Sequence, residues 1–455
     1  MSVERSHRAR RLDRVTIGIL PNDVLMEVFY FYMSDWDIEM SEWYTLVHVK
    51  DHCPEMLDVW PVFPVAIRPA YPFSKSRLDT CLGNMAAALE SDHHHHICEM
   101  ELPLIPTSHW ERLAAAMQKP FPQLTLVRIL VEESTVASLS DSFLGGSAPL
   151  LQHLSFRTCS FPGMPRLLLS AIHLVTLRLW NIPDSGYFSP QALGTALSVM
   201  SRLETLRVDF QSPRPRPDPA SRPPPPLTRS VLPALTRLSF QGVHEYLEDL
   251  LAQIQAPLLN KLEIVFFMDL NFVVPQLHQL ISDAESFKTC DKALVYTSHR
   301  SIGFVILKET NKSPELSLEL SCRVLDYQVS ALAQVCSSSL PLLSTLVHLE
   351  IEDSVLPDPQ SYWKDDMETA QWLELLDPFI AVKNLHLSNQ FARQLWQALE
   401  ELAEERVTEV LPALRNIFLS GHQSRKNVMK RFVTARRLSG HPVAVYRWEN
   451  QRKLL

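Results

Sequence analysis

Two stretches of the chain share one pattern and decide the fold. Residues 174–179 read LVTLRL and residues 203–208 read LETLRV. In both, an apolar residue stands at the first, fourth and sixth positions, and a polar residue separates the last two. Alternate side chains of a β-strand point to one face, so the fourth and sixth positions would be buried together. The pattern therefore predicts short strands with one apolar face and one polar face.

Copies of this pattern recur along most of the chain. When the fourth position is taken as the marker, adjacent copies lie roughly 23 to 36 residues apart. The clear copies are centred on Val127, Leu154, Leu177, Leu206, Leu238, Leu262, Leu349, Leu385 and Ile417. Weaker copies at 65–67 and 97–102 extend the array towards the N-terminus. In the long step after the sixth copy, the apolar stretches 302–307 and 316–320 would supply the missing strands.

Helical patterns lie between the strand copies. In residues 110–117, 193–200 and 370–376 the apolar side chains recur at spacings of three and four, which is typical of a helix with one buried stripe. A unit of one strand and one helix buries its apolar side only by stacking on the next unit. We therefore predict an α/β solenoid over residues 53–440. The short strands disfavour an all-helical array of the HEAT or armadillo type.

The polar face of the predicted strands changes character along the array. The residues expected to point to solvent between the last two apolar positions are Arg128, Ser155, Arg178, Arg207, Ser239, Glu263, Glu350, His386 and Phe418. The flanking position adds Arg157, Trp180, Asp209, Gln241 and Glu352. Arginine and aromatic side chains dominate the energetics of protein interfaces. We therefore predict that Arg178, Trp180 and Arg207 form a partner-binding patch on a concave face.

The repeated units resemble leucine-rich repeats of an irregular kind, which implies a helix-backed horseshoe. The standard unit places asparagine or cysteine three residues after the last apolar strand position. Cys159 occupies that position after the second copy, and Asn181 comes one residue early after the third. The other copies lack this polar ladder. Long, variable units with a weak ladder look like the intracellular class of the repeat.

A different motif precedes the array. Residues 20–29 read LPNDVLMEVF, in which Pro21 suits the first turn of a helix and Asp23 suits its positive end. This segment resembles the opening of an F-box. The residues that the resemblance assigns to adaptor binding are Leu20, Pro21, Asp23, Val24, Leu25, Val28 and Phe29. Residues 50–55 (KDHCPE) depart from the third helix of that family, so we expect the F-box-like helices, over 16–52, to be incomplete.

The whole chain resembles the F-box/leucine-rich-repeat proteins that are numerous in mushroom-forming fungi. In F-box proteins the short motif docks onto the adaptor of a cullin-RING (SCF-type) ubiquitin ligase, and the repeats present a substrate. The resemblance thus implies a substrate-recognition subunit with two partners, the SCF adaptor and an unknown protein substrate. An alternative is a leucine-rich-repeat scaffold that has lost adaptor binding through the missing helix. A hydrolase or metalloenzyme is a third hypothesis, which no motif supports.

Composition argues against several classes of protein. The 455 residues include only 11 glycines, and no GxGxxG, GxxxxGK[ST] or GxSxG motif occurs, so we expect no enzymatic activity, cofactor or metal. The net charge of -8 gives no reason to expect nucleic acid binding. No apolar window approaches membrane-spanning length, and residues 1–15, a basic tail, lack a signal core. The seven cysteines form no CxxC pair, which favours free thiols in the cytoplasm or nucleus.

Three further segments have both a structural and a functional interpretation. Residues 212–228 (SPRPRPDPASRPPPPLT) form a polyproline-II loop that is either a tolerated insertion or a ligand for an SH3-type groove. Residues 93–96 (HHHH) are either an exposed loop or a zinc- or nickel-binding tract. The basic residues in 425–453 indicate either a capping helix at 428–438 or phosphate contact. Residues 441–455 are expected to form a tail.

Overall fold

The structure is a computed structural model that describes most of the repeat array. The described residues are 65–67, 75–90, 94–132, 137–161, 163–213, 229–267, 273–297, 301–308, 315–321, 328–353, 369–388, 395, 397–402, 406–420 and 430–448. The basic tail at 1–15, the F-box-like segment at 16–52 with its seven adaptor-binding candidates, and residues 214–228 of the proline-rich loop lie outside them. Those assignments stay predictions.

Strands and helices alternate along the described chain. The strands are β1 (Val65–Ile67), β2 (Ile97–Ile105), β3 (Leu126–Val131), β4 (Ala137–Ser138), β5 (His153–Arg157), β6 (Cys159–Ser160), β7 (Thr176–Ile182), β8 (Thr205–Phe210), β9 (Ser230–Val231), β10 (Arg237–Gly242), β11 (Ile254–Gln255), β12 (Lys261–Phe267), β13 (Lys292–Thr297), β14 (Ser301–Leu307), β15 (Leu316–Ser321), β16 (His348–Asp353), β17 (Asn384–Leu387), β18 (Asn416–Ser420) and β19 (Ala444–Trp448). The helices are α1 (Lys75–Glu90), α2 (Thr107–Ala116), α3 (Met164–Leu168), α4 (Pro190–Leu197), α5 (His244–Leu251), α6 (Pro275–Asp283), α7 (Gln328–Ser339), α8 (Thr369–Leu376) and α9 (Lys430–Leu438).

Fifteen of the strands form one large sheet, in the order β1-β2-β3-β5-β7-β8-β10-β12-β15-β14-β13-β16-β17-β18-β19. All neighbouring pairs are parallel except β13 with β14 and β14 with β15. The markers of the repeated pattern are direct partners, as in Leu177 with Leu206 and Leu206 with Leu238. The predicted α/β architecture with a large parallel sheet is therefore confirmed, and each clear copy of the pattern forms one of its strands.

The core lies between this sheet and the helices. The marker residues Leu177, Leu206 and Leu238 are at most 2% exposed, and they belong to one cluster with buried helix residues such as Leu193 and Leu247. Burying one such leucine contributes about 1.5–3 kcal/mol. Neighbouring helices pack side by side, for example α3 with α4 and α4 with α5. Stacking of adjacent units therefore buries the apolar surface that a single unit would expose.

Backbone hydrogen bonds set the register of each new unit. The carbonyls of Gln152, Val175 and Glu204, each near the start of a strand, accept two N–H groups from the following unit at 2.8–3.1 Å. The carbonyl of Asp291 does the same for the N–H groups of Val347 and His348. This repeated bond identifies β13 as a regular repeat strand. The leucine pattern does not reveal β13, because Cys290 and Ala293 stand there in place of leucines.

The turn that follows the strands differs from the expected one. Thr158 and Asn181 both have a left-handed backbone, with φ of 57° and 56°. The Asn181 side chain donates to the Thr158 hydroxyl at 3.3 Å, and the Thr158 N–H donates to the Trp180 carbonyl at 2.9 Å. The polar turn residue after β5 is therefore Thr158, and the assignment of that position to Cys159 was wrong by one residue.

Strands β14 and β15 form a hairpin insert between two consecutive repeats. The predicted strands at 302–307 and 316–320 are confirmed, but β14 runs antiparallel to both of its neighbours. The insert separates β12 from β13, so these two repeat strands, joined by α6, are not neighbours in the sheet. Phe304 of β14 and Leu318 of β15 are fully buried in the common core. Alternation therefore buries one face of the insert regardless of strand direction.

The array extends to Trp448, beyond the end expected at residue 440. Strand β19, within the segment expected to be a tail, pairs in parallel with β18. The predicted helix at 428–438 is present as α9, in which Phe432 is buried and Val433 packs against the core. Arg436 of the same helix is fully buried, although its sequence context indicated an exposed basic run. Its guanidinium donates to the carbonyls of Val407, Leu411, Pro412 and Leu414 at 3.1–3.4 Å.

Candidate binding site on the open face of the sheet

Side chains that point away from the core form an open face of the sheet. Its central row runs in register from strand to strand. The row consists of Glu101, Arg128, Ser155, Arg178, Arg207, Ser239, Glu263, Ser317, Val305, Leu294, Glu350, His386, Phe418 and Tyr446. Every predicted solvent-facing residue of the central position falls in this row. The structure thus brings side chains more than 300 positions apart in sequence onto one surface.

Arg178, Trp180 and Arg207 lie close together on neighbouring strands, and their role in partner binding stays a prediction. Arg178 and Arg207 are direct partners on β7 and β8, whose backbones lie about 4.8 Å apart. The Arg207 guanidinium carbon lies 4.5 Å from the centre of the Trp180 ring, which is a cation–π contact. Arg207 Nε also donates to Asp209 Oδ2 at 2.7 Å. The indole and the carboxylate therefore hold the Arg207 guanidinium in place.

Arg178 has a different environment from Arg207. No hydrogen bond or ion pair to a carboxylate is present for Arg178 among the described residues. Partial burial lowers the pKa of Arg178, and the positive charges of Arg128, Arg237 and Arg207 lower it further. Like charges on neighbouring strands destabilise a sheet. The charge of Arg178 therefore does not stabilise the fold.

Asp209 is not solvent-facing, contrary to the sequence analysis. Its side chain is 8% exposed, and burial raises its pKa against the opposing effect of Arg207. Within the described chain, Asp209 Oδ1 accepts no hydrogen bond and Trp180 Nε1 donates none. The sequence pattern places Arg207 and Asp209 on the same face of β8. It does not show how far the surrounding side chains bury the carboxylate.

Glu350 also departs from its predicted exposure. It is 1% exposed and forms an ion pair with Lys292 Nζ at 2.5 Å. Lys292 belongs to β13, the strand that the sequence analysis missed, so this partner was not expected. Beyond Glu350 the rings of His386, Phe418 and Tyr446 stack across three strands, with centroids 4.3 and 5.2 Å apart. Burial lowers the pKa of His386, whereas Glu350 raises it to a smaller extent.

The hairpin insert gives the open face an apolar centre. Val305 and Leu294 occupy the central row there, and Tyr296 reaches across Gly303 to donate to Glu319 Oε2 at 3.1 Å. A second polar ladder lies along the edge of the later strands. Asn416 donates to Asn384 Oδ1 at 2.8 Å, and Asn384 contacts His348 at 3.1 Å. Both features depend on cross-strand register, which the sequence patterns do not contain.

Other candidate groups lie away from the open face. His94–His96 form a short 3-10 helix, and the His94 ring packs edge-on against Phe121 at 5.5 Å. No cluster of metal-ligating side chains is found in the described part of the chain. Cys159, Cys290 and Cys336 are free thiols, and burial raises the pKa of Cys159 to about 12. The described helices include none with the length and apolarity that a membrane span requires.

Comparison with solved structures finds proteins that are similar to this chain. No protein-family model and no curated protein matches this chain. The leucine-rich repeat-containing protein LegL7 from Legionella pneumophila is similar to it, with 14% sequence identity, coverage of 76% of this chain and 98% of LegL7, and a TM-score of 0.28. At that TM-score the likeness adds nothing to the strand register and packing described above. The α/β repeat architecture rests on those observations.

Proposed function

We propose that this protein is a leucine-rich-repeat protein that binds a partner protein on the open face of its sheet. The observation that carries the proposal is the central row, which continues in register from β2 to β19 and is charged, polar or aromatic except at Val305 and Leu294. Among the described residues, helices cover the opposite face, whereas the central row contributes no side chain to the buried core. Repeat arrays present such extended surfaces to partners, and arginine and aromatic residues are their usual energetic anchors.

A partner comparison with two triple variants tests this proposal. Arg178, Trp180 and Arg207 are changed to alanine in one variant, and the full-length proteins are used to capture interacting proteins in cell extract. In the matched control, alanine replaces Arg166, Leu169 and Arg202, which are exposed on the helix side. We expect specific partners to be lost from the first variant and retained by the control. If both variants retain the same partners as the wild-type protein, the open face is not the binding surface.

We further propose that residues 16–52 dock the chain onto the adaptor of a cullin-RING ubiquitin ligase. In this role the chain is a non-catalytic substrate-recognition subunit without cofactor or metal. The support is the LPNDVLMEVF motif at 20–29 alone. The departure at 50–55 favours the alternative, a scaffold that has lost adaptor binding. The free thiols of Cys159, Cys290 and Cys336 support placement of either protein in the cytoplasm or nucleus.

Binding of the purified full-length chain to purified adaptor separates these two roles. A ligase subunit binds the adaptor, and the Leu20→Ala/Pro21→Ala variant loses that binding. The control is Val305→Ala, a change on the open face far along the chain. Wild-type protein that shows no adaptor binding, while it retains open-face partners, supports the scaffold and contradicts the ligase role.

A further inference from the structure

Four arginines form a cluster on the first half of the open face. Arg128 lies on β3, Arg178 on β7, Arg207 on β8 and Arg237 on β10. The first three are in the central row, and Arg237 is in the adjacent row as the partner of Thr205. These strands and β5 between them span about 19 Å at the usual strand spacing. We call these four residues the arginine cluster.

The arginine cluster carries more positive charge than its acidic neighbours neutralise. Arg128 pairs with Glu101 at 3.4 Å, and Arg207 pairs with Asp209 at 2.7 Å. Glu263, the next acidic residue of the central row, is paired with Lys261 at 2.8 Å. Arg178 and Arg237 have no carboxylate partner among the described residues. Two arginines of the four therefore remain available to an anionic ligand.

The groups around Trp180 hold one arginine of the cluster in place. The Trp180 ring lies 4.5 Å from the Arg207 guanidinium carbon, and Asp209 Oδ2 accepts from Arg207 Nε at 2.7 Å. Trp180 Nε1 and Asp209 Oδ1 are themselves buried, so a ligand on the open face contacts the arginines. Arginines on strands that lie side by side favour an extended ligand with several negative charges over a single small anion.

We propose that the arginine cluster binds an extended, glutamate- or aspartate-rich segment of the partner protein. Carboxylates of the segment pair with Arg178 and Arg237. Arginine binds carboxylates through paired N–H donors, which gives such contacts strength and direction. The segment needs about six extended residues to cross the cluster. This inference deepens the proposed function and rests on it.

Fluorescence anisotropy with short peptides tests the inference. The probe is a labelled peptide of about eight residues that alternates glutamate with serine, and the comparison peptides carry glutamine or lysine instead. The receptor is the full-length chain, as wild-type and as Arg178→Gln/Arg237→Gln. The matched control is Arg166→Gln/Arg202→Gln, which removes the same charge from exposed helix-side positions.

The wild-type protein and the control are expected to bind the glutamate peptide alike, in preference to both comparison peptides. The Arg178→Gln/Arg237→Gln variant is expected to bind it about tenfold more weakly, since two charged contacts are lost. Affinity for the peptide is expected to fall as salt rises from about 50 to 300 mM, because exposed charges are screened. Equal losses in both variants indicate nonspecific attraction and contradict the inference. Tighter binding of a single-stranded oligonucleotide than of the glutamate peptide contradicts it as well.

Failure of this inference differs from failure of the proposed function. If the glutamate peptide does not bind, but the alanine triple variant still loses its partners, the open face binds a partner of another chemistry. If the triple variant keeps every partner, the proposed function itself fails, whatever the peptide does.

Discussion

Strands β2 to β12 follow one another in the sheet in chain order, whereas β13, β14 and β15 appear in reverse order between β12 and β16. The first region, the regular segment, carries the arginine cluster on its open face. The second region, the irregular segment from β13 to β19, carries an apolar centre, a buried ion pair and an aromatic stack. Both regions bury the same kind of side chain on the opposite face. The difference shows that the alternation of apolar and polar side chains along a strand decides which face is buried. The direction of the strand and the chemistry of its open face vary independently of that alternation.

The largest expected effect concerns the core of the hairpin insert. Phe304→Ala removes a fully buried ring at the centre of β14, which we expect to lower the free energy of unfolding by about 4 kcal/mol. Repeat arrays couple neighbouring units most strongly. Hydrogen-exchange mass spectrometry is therefore expected to show protection lost first in 292–321. Val305→Ala, on the open face, serves as the control and is expected to cost under about 1 kcal/mol. Equal loss of protection at β3 would contradict the separation of the two regions.

Arg436 tests the far end of the irregular segment. Arg436→Met leaves the carbonyls of Val407, Leu411, Pro412 and Leu414 without this donor, and we expect a loss of about 3 kcal/mol. Burial lowers the pKa of Arg436, so the charge itself is costly there and the four carbonyls compensate for it. Chemical denaturation measures the change. Arg437→Met, at an exposed neighbour, is the control, and an equal loss in both variants would rule out the buried donor as the cause.

Glu248 joins the regular segment to the helix that leads into the irregular one. Its carboxylate accepts the N–H groups of Gln276 and Leu277 at 2.8 and 2.9 Å, at a helix start where Val274 provides no side-chain cap. Burial raises the pKa of Glu248 to about 7. The folded state therefore holds a proton that the unfolded state releases, so stability falls as pH rises from the unfolded pKa towards 7.

Denaturation at several pH values measures this contribution, which is at most about 3 kcal/mol. Glu248→Gln is expected to flatten the pH dependence, because the amide retains an acceptor and does not ionise. Glu285→Gln, at a side chain that is 84% exposed, is expected to leave the pH dependence as in the wild-type protein. An unchanged slope in Glu248→Gln would assign the pH dependence to other groups.

Gly303 of β14 leaves the space through which the Tyr296 side chain reaches Glu319. A Cβ there would lie 2.6 Å from the Leu318 carbonyl oxygen and 2.8 Å from the Tyr296 hydroxyl. Gly303→Ala is therefore expected to cost about 2 kcal/mol in thermal or chemical unfolding. The control is Gly83→Ala in α1, where a Cβ meets nothing within 4 Å. That control is expected to stabilise the protein by up to about 1 kcal/mol, because alanine favours a helix more than glycine does. If both changes destabilise the protein, the steric explanation for Gly303 is wrong.

The smallest effect concerns Arg178 in the regular segment. Arg178→Gln removes repulsion from Arg128, Arg237 and Arg207, and we expect a gain of about 0.3 kcal/mol that disappears at high salt. Unfolding at low and high salt measures it, with Arg166→Gln as the control. A clear loss of stability would show that Arg178 supports the fold and would weaken its assignment to binding.

Much of this architecture follows from local sequence. Apolar residues at the marker positions predicted the strands β3, β5, β7, β8, β10, β12, β16, β17 and β18, because alternation and burial are local properties. The helix stripes at 110–117, 193–200 and 370–376 match α2, α4 and α8 within a few residues. The grouping of Arg178, Trp180 and Arg207 was predictable for the same reason. Equivalent positions of adjacent parallel strands become neighbours.

The remaining features required the tertiary structure. The order β12-β15-β14-β13-β16 depends on how α6 and the hairpin pack, since an apolar alternation is identical in both strand directions. The burial of Glu350 depends on Lys292 from a strand 58 residues earlier, and that of Arg436 depends on carbonyls of a preceding loop. By itself, the sequence determined which apolar side chains of the repeated pattern enter the core and which positions of those strands face the other way. Only long-range packing decided which strands are neighbours and which charged groups are buried with a partner.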